Sequence, residues 1–252
     1  MNKHLTFIAA FAFATAGIAF AAEAASVKNI VIVHGALADG SGWRKATEIL
    51  EKRGFNVTIV QEPLTSLDDD VAATKRVLDL QEGPTLLVGH SYGGMVITEA
   101  GNDPHVAGLV YVAAFQPDEG ESLLSLASSK PAGSMDIKET KDGKYLYLDP
   151  GAFAADFAAD LPKAEADFLA KSQVFASKQA FAAKIAEPAW RTKPSWSIVA
   201  TQDRAINPDL ERDMAKRAGS DVTEIKASHA VFASQPERVA DVIEKAAKRV
   251  GE

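Results

Sequence analysis

The sequence predicts an α/β fold: a doubly wound, mostly parallel sheet carrying a mainly helical cap insertion. Short runs rich in apolar and β-branched residues recur at 30–33, 56–61, 85–88, 106–112, 196–200 and 222–226. Each has the length of a strand, and those at 30–33, 86–88 and 106–112 are apolar nearly throughout, as strands buried in a parallel sheet are, though their lateral order cannot be read from sequence. Stretches of helical periodicity separate the first four, which gives the strand–helix alternation of a parallel sheet. Over about 116–194 that alternation stops, and segments rich in alanine and phenylalanine take its place. A chain of 252 residues that is 47% hydrophobic can bury one sizeable core. One domain with an insertion fits this better than two equal domains.

The chain starts with residues that belong to an address. Lys3 and His4 make a short positive start, and residues 5–21 are almost all Ala, Phe, Ile and Leu. Small residues at Ala19 and Ala21, and again at Ala22 and Ala24, suit a cleavage site after Ala21 or Ala24. Residues 1–24 therefore read as a secretory signal peptide, and 25–252 as the folded domain. The apolar run is short for a spanning helix and no second one follows, so no stable membrane insertion is expected after cleavage. The expected destination is the periplasm or the medium. Cysteine is absent, which excludes disulfides, a thiolate nucleophile and zinc–thiolate sites. A net charge of −7 without a lysine or arginine cluster gives no reason to expect a nucleic-acid partner. The expected partners are a small-molecule substrate and, at most, a second copy of the chain.

The elements then follow in order. Residues 30–33 form the first strand, ending in His34-Gly35-Ala36. A loop punctuated by Gly40 and Gly42 leads to a helix over 43–53, closed by Gly54. Residues 56–61 are the second strand. Residues 67–80 are the second helix, with Asp68, Asp69 and Asp70 in its first turn, where the helix dipole favours them as capping groups. Residues 85–94 read TLLVGHSYGG: a buried strand, then one serine bracketed by Gly89, Gly93 and Gly94, then a helix over 95–100. Residues 106–112 are the fourth strand. The insertion holds a short alternating piece at 144–148, suited to a hairpin arm, and short helices at 153–159, 163–171 and 177–185. The sheet resumes at 196–200. Asn207 and Pro208 open a helix through Ala218, residues 222–226 make the last strand, and 236–250 a closing amphipathic helix.

Strand, glycine-bracketed serine and helix together make a nucleophile elbow centred on Ser91. A serine hydroxyl needs a base in reach and a third group orienting that base. Of the five histidines, His4 leaves with the signal peptide, His105 lies in a polar turn, His34 suits a structural hydrogen bond, and His90 suits packing support behind the elbow. His229 follows the last strand. Loops after parallel strands open on one edge of the sheet, so His229 is the histidine placed to approach Ser91. Asp203 follows the 196–200 strand and is the candidate acid, with Asp118 and Glu119 as rivals and Asp209 as a helix-start residue. The order Ser91, Asp203, His229 is one of the known triad orders. The oxyanion that forms in acyl transfer needs fixed donors, and the amides of Tyr92 and Ala36 are the candidates. The Tyr92 side chain can face the pocket or pack. Gly35, Gly40 and Gly42 do not have dinucleotide-binding spacing, and no metal motif is present, so neither cofactor nor metal is expected. Of the insertion aromatics Phe153, Phe157, Phe168, Phe175, Phe181 and Trp190, most read as packing within the insertion or against the core, with one or two lining an apolar pocket.

Taken together, the His34-Gly35-Ala36 start with Trp43 downstream, the Gly89-His90-Ser91-Tyr92-Gly93-Gly94 elbow, the Asp203-Arg204-Ala205-Ile206 turn and Ser228-His229-Ala230 resemble the α/β-hydrolase superfamily. The resemblance runs over essentially the whole of 28–251. Within the superfamily the chain looks like the esterase and hydroxynitrile-lyase-like branch that includes plant methylesterases. It implies an α/β-hydrolase fold, the triad Ser91, Asp203 and His229, an oxyanion hole from Ala36 and Tyr92, and cofactor-free hydrolysis of carboxylic esters of small apolar or aromatic acids. Cyanohydrin-cleaving members carry a threonine where this chain has Gly35 and a lysine where it has Ala230, so hydrolysis is favoured over lyase chemistry. Other acyl bonds (lactone, thioester, amide), perhydrolysis and a silent binding protein are the alternatives, in falling order.

Overall fold

A computed structural model describes residues 27–133 and 135–250; the signal peptide expected at 1–24 lies outside the described residues. The first half of the fold alternates as expected: β1 (Asn29–Val33), α1 (Arg44–Lys52), β2 (Asn56–Val60), α2 (Leu67–Leu78), β3 (Thr85–Ser91), α3 (Gly93–Ala100) and β4 (Val106–Ala114). The insertion follows, with α4 (Leu123–Ser129), β5 (Ile137–Glu139), β6 (Tyr145–Leu148), α5 (Phe153–Asp156), α6 (Lys163–Lys171), β7 (Ala176–Ser177) and α7 (Lys178–Ala182). The chain then returns to the sheet through β8 (Ser195–Ala200), α8 (Pro208–Ala218), β9 (Asp221–Ile225), α9 (Val231–Ser234) and α10 (Pro236–Val250).

The main sheet has the order β2-β1-β3-β4-β8-β9, with every pairing parallel. Strands β1, β3 and β8 are buried at every residue, whereas the edge strands β2 and β9 are buried only in part. The lateral order, which the sequence left open, accounts for the difference: strands in the middle are buried on both faces, and those at the rims are not. α10 turns Val239, Ala240, Val242, Ile243, Ala246 and Ala247 inward at helical spacing. The chain leaves β1 toward β2 and returns on the other side to β3, so the direction of winding switches between β1 and β3. Crevices at the carboxyl ends of strands open at such a switch point, and here it brings the loop after Val33 beside Ser91.

The insertion differs from the expectation. A three-stranded antiparallel sheet, β5-β6-β7, stands where a hairpin arm was expected. Ile137 pairs Leu148 on one side of β6, and Tyr145 pairs Ser177 on the other. The helix expected at 177–185 shortens to α7, because Ala176 and Ser177 are drawn into the sheet and the Ser177 amide donates to the Leu64 carbonyl at 2.8 Å. The helix expected at 153–159 ends at Asp156. Leu148, Phe153 and Phe157 join the same buried cluster as the sheet residues, so the insertion packs on the sheet edge. Among the described residues no helix is long and apolar enough to cross a membrane.

Candidate active site

Ser91 is the last residue of β3 and has φ +52°, the left-handed region that a side-chain-bearing residue enters only at a cost. The turn is tight enough to exclude Cβ atoms on both flanks. A Cβ on Gly89 would lie 2.6 Å from the Gly93 carbonyl oxygen, and one on Gly93 would lie 2.5 Å from that of Val33. These contacts are the physical content of the elbow. They press β3, the first turn of α3 and the end of β1 together, and the Ser91 side chain faces the cavity beside them.

Asp203 and His229 come from the loops after the neighbouring parallel strands β8 and β9, so both arrive at the same sheet edge. His229 Nδ1 lies 2.6 Å from Asp203 Oδ2, and both side chains are buried. Asp203 Oδ1 accepts from the amides of Ala205 at 2.7 Å and Ile206 at 3.0 Å, which fixes the carboxylate's rotation. With Nδ1 donating to Asp203, the neutral ring presents Nε2 as its acceptor. Ser91 and His229 line one cavity of about 240 Å³ together with Ala36 and Tyr92. The Tyr92 amide sits at the start of α3, where amides lack intrahelical acceptors. The rival acids are elsewhere: Asp118 and Glu119 pair with Arg191 at 2.5 and 3.2 Å.

The remaining histidines are structural. His90 Nε2 donates to the His229 carbonyl at 3.1 Å, and its Nδ1 is buried without a partner. Burial, then the nearby His229, holds His90 well below the usual imidazole range, so its ring is a neutral strut under the base loop. It also packs on Phe232 at 4.6 Å between ring centres. His34 Nδ1 donates to the Gly35 carbonyl at 2.9 Å, and its Nε2 accepts from the Glu62 amide at 3.1 Å. Burial lowers its pKa too. His105 is exposed beside Asp103 at 2.9 Å.

The acidic triplet of α2 needs a correction. Asp69 caps as expected: its amide donates to Ser66 Oγ at 3.1 Å, and its carboxylate accepts from Thr65 and Ser66. Asp70 does not cap. It is buried, accepts the Tyr92 hydroxyl at 2.7 Å and the Leu64 amide at 2.8 Å, and is pushed up to about 6 by burial. Its position one turn into α2 points inward, where the dipole argument for an exposed first turn does not apply. The same bond answers how Tyr92 is used: the ring is tied down behind the elbow and packs on Phe181 at 5.8 Å.

Sequence reasoning passed over two buried carboxyls, Glu62 and Glu211, neither of which has a hydrogen-bond partner. A signal existed for Glu211, which falls on the inward stripe of α8 with Leu210, Met214 and Ala215. For Glu62 there was none beyond its place just after a strand. Of the insertion aromatics, Phe157 and Phe181 line the cavity. Phe153 stacks on Phe157 at 4.8 Å, and Trp190 Nε1 donates to the Pro117 carbonyl at 2.7 Å. Phe168 and Phe175 are exposed, the two of the six that fall outside the packing expected of most of them. The rest of the cavity wall is apolar, with Leu37, Phe115, Leu123, Met135 and Ile206 among its residues, and His229 is its only titratable imidazole or carboxylate-class group. Among the described residues no three of His, Asp and Glu converge as a metal site.

Comparison with known proteins places this arrangement. A curated carbendazim hydrolyzing esterase of Nocardioides sp. (strain SG-4G) is 35% identical over 112 residues, which cover 39% of this chain and 46% of that one; the match thus spans about half of that relative's length. A pyrethroid hydrolase of Sphingobium wenxiniae is 28% identical over 247 residues, covering 86% of this chain and 87% of that one. The crystal structure of a pyrethroid hydrolase from Sphingobium faniae JZ-2 superposes with a TM-score of 0.74 at 24% identity, over 88% of this chain and 98% of that one. That likeness carries the fold. The profile of the alpha/beta hydrolase family matches residues 30–242, nearly the whole of the described chain, and the chain belongs to that family.

Proposed function

We propose that this chain is a serine hydrolase of uncharged carboxylic esters with small apolar or aromatic acyl groups. One observation carries the reading: Ser91 and a His229 tethered to buried Asp203 open on a common cavity whose wall is almost wholly apolar. His229 Nε2 takes the proton as Ser91 Oγ attacks the ester carbonyl. The amides of Ala36 and Tyr92 hold the oxyanion. Asp203 keeps the Nδ1–H tautomer and stabilises the imidazolium without taking its proton. The alcohol leaves with the proton from His229, and water cleaves the acyl-enzyme by the same route. A substrate carboxylate or phosphate inside this cavity would be desolvated with no cation to meet it, at a cost of several kcal/mol. The names of the curated relatives agree with this, one being an esterase and the other a hydrolase. Ala230 is fully buried, its amide donating to the Phe157 carbonyl at 2.9 Å, so no ammonium stands beside the base as cyanohydrin cleavage would use.

The test is a panel of p-nitrophenyl esters of graded acyl length. Wild type cleaves the short and aromatic members, and Ser91→Ala loses at least about 10⁴-fold in kcat. Equal rates for the two proteins, or no cleavage of any ester, would sink the proposal.

Export belongs to the same proposal, on the strength of the positive start and apolar run over 3–21. Protein recovered from outside the cytoplasm begins after Ala21 or Ala24 on N-terminal sequencing; an intact Met1 there contradicts it. The exposed rings of Phe168 and Phe175 support self-association as a homodimer rather than assembly on nucleic acid, and light scattering on the same sample reads the mass.

A further inference from the structure

The amide of Tyr92 is an oxyanion donor in the mechanism above, and the far end of the same residue is held by a buried carboxyl that the mechanism does not use. The Tyr92 hydroxyl donates to Asp70 Oδ2 at 2.7 Å, and both side chains are fully buried. Asp70 is itself anchored. Its Oδ1 accepts the Leu64 amide at 2.8 Å, and its backbone carbonyl accepts Thr74 Oγ1 at 3.0 Å. Leu64 in turn is tied to the insertion, its carbonyl accepting the Ser177 amide at 2.8 Å. The first turns of α2, the loop after β2 and the start of α7 are thus linked to one phenol.

The donor needs holding. It belongs to the peptide between Ser91 and Tyr92, and Ser91 has φ +52°, a conformation that persists only where its surroundings over-determine it. Relaxing that φ would carry the Ser91 carbonyl, the Tyr92 amide and the Tyr92 ring together, since all three lie beyond the same bond. Two hydrogen bonds resist the movement. The Phe115 amide donates to the Ser91 carbonyl at 3.2 Å, at the long end of the usual range. The phenol's bond to Asp70 is the shorter of the two, and a carboxylate acceptor makes such a bond a strong one. An oxyanion donor works only within a few tenths of an ångström of its place, so the grip on the ring bears on the chemistry.

We propose that Asp70 is a positioning residue for the oxyanion hole: by holding the Tyr92 hydroxyl it keeps the Tyr92 amide aimed at the oxygen that becomes charged. This rests on the reading of Ser91 as nucleophile and of the Tyr92 amide as donor. It predicts a split between two substitutions, assayed at about pH 8, where Asp70, pushed up by burial to about 6, is ionised. Asp70→Asn keeps both grips, its amide oxygen accepting the Leu64 N–H and its NH2 donating to the phenol oxygen. Its kcat stays within about threefold of wild type. Tyr92→Phe keeps the ring and the backbone amide and removes the hydroxyl alone. Its kcat falls by about ten- to a hundredfold with KM nearly unchanged, the mark of an interaction made only in the transition state. Phenylboronic acid takes Ser91 Oγ at boron as the proton passes to His229, and sets a boron-bound oxygen in the oxyanion hole; it binds Tyr92→Phe more weakly by a similar factor. A merely structural bond would lower the unfolding midpoint of Tyr92→Phe and leave kcat and boronate affinity of the folded protein alone.

The assay is run with Ser91→Ala alongside. If wild type and Ser91→Ala are alike, the nucleophile reading fails. If wild type is active, Ser91→Ala is dead and Tyr92→Phe matches wild type in kcat and boronate affinity, this proposal fails on its own; Asp70→Asn falling as far as Tyr92→Phe overturns it as well. Proton NMR of the wild type needs no variant. A phenol proton held on a buried carboxylate exchanges slowly with water, and its low-field signal shifts when the boronate loads the amide at the other end of the residue. A phenol signal that the adduct does not move overturns the proposal even where Tyr92→Phe does not fold.

Discussion

Ser91 is one of four non-glycine residues held at positive φ among the described residues, and all four stand at the carboxyl ends of strands: Leu37 after β1, Leu64 after β2, Ser91 in β3 and Ala113 in β4. Each such residue costs on the order of 1–3 kcal/mol and persists only where its surroundings over-determine it. Here the surroundings are backbone. Leu37 follows the proposed oxyanion donor Ala36, and the Leu64 amide is gripped by the same Asp70 that grips Tyr92, so the strain sits around the cavity mouth and behind it. The glycines of the elbow carry the other half of the geometry. Gly93→Ala would set a Cβ 2.5 Å from the Val33 carbonyl oxygen and 2.7 Å from that of His34. Neither can yield without moving β1. The expected loss is at least about 1–3 kcal/mol of stability, and a midpoint lower by about 2–4 °C for each kcal/mol. Thermal unfolding followed by circular dichroism reads it, and a midpoint equal to wild type would mean the elbow has more slack than its contacts allow. Ester turnover falls further than stability does, because any shift of β1 against β3 separates Ala36 from Ser91.

At the scale of elements, the segment around α5 is what binds the insertion to the chemistry. Phe157 accepts the Ala230 amide, Asp160 accepts the Ser228 hydroxyl, and Asp156 lies 3.5 Å from the Arg204 guanidinium. One short stretch of the insertion thus reaches both the base loop and the acid loop, while its Phe157 ring meets His229 edge-on at 4.8 Å. None of these links was legible in the sequence, and the reason is physical. The core strands announce themselves by composition, since a strand buried on both faces has no choice but to be apolar. Ser91, Asp203 and His229 announce themselves because each stands at or just after the carboxyl end of a strand of the main sheet, β3, β8 and β9 in turn. The insertion obeys no such rule. Its β7 is two residues long and exists through pairing with β6 and through the Leu64 carbonyl, both remote in sequence, so the alanine and phenylalanine pattern there read as helix. Asp70 was misread for a related reason: its place in the first turn of α2 is visible in sequence, but which way that turn faces depends on Tyr92, more than twenty residues on.

The whole molecule stores its titratable groups in opposing senses, and its stability should depend on pH from both sides. His34 and His90 are buried as neutral rings with lowered pKa values. The unfolded chain binds their protons near pH 6.5 while the folded chain refuses them, so their contribution is complete above about 6.5 and is lost as pH falls below it. Glu62, Asp70 and Glu211 are raised. For these the folded state keeps protons that the unfolded state has released. Their contribution is complete below the ordinary carboxyl range and is lost as pH rises, up to about 6 for Asp70 and beyond for the two glutamates. Glu62 is the carboxyl on which to read the second effect: burial, then Asp70, raise it, and its Oε2 lies 3.8 Å from Nδ1 of His34, a ring whose own pKa burial lowers. Glu62→Gln removes the titration while keeping a polar group of the same size. Whatever constant cost the amide brings is the same at every pH, so the informative quantity is the variant's midpoint minus that of wild type. That difference should grow in the variant's favour by at least about 2 °C between about pH 5 and pH 8, a change of roughly 0.5–1 kcal/mol for a chain of this size. Thermal melts of both proteins in matched buffers measure it. A difference that stays flat with pH would mean that Glu62 ionises in the fold, and that its carboxylate has found a counter-charge within the β1–β2 end of the sheet.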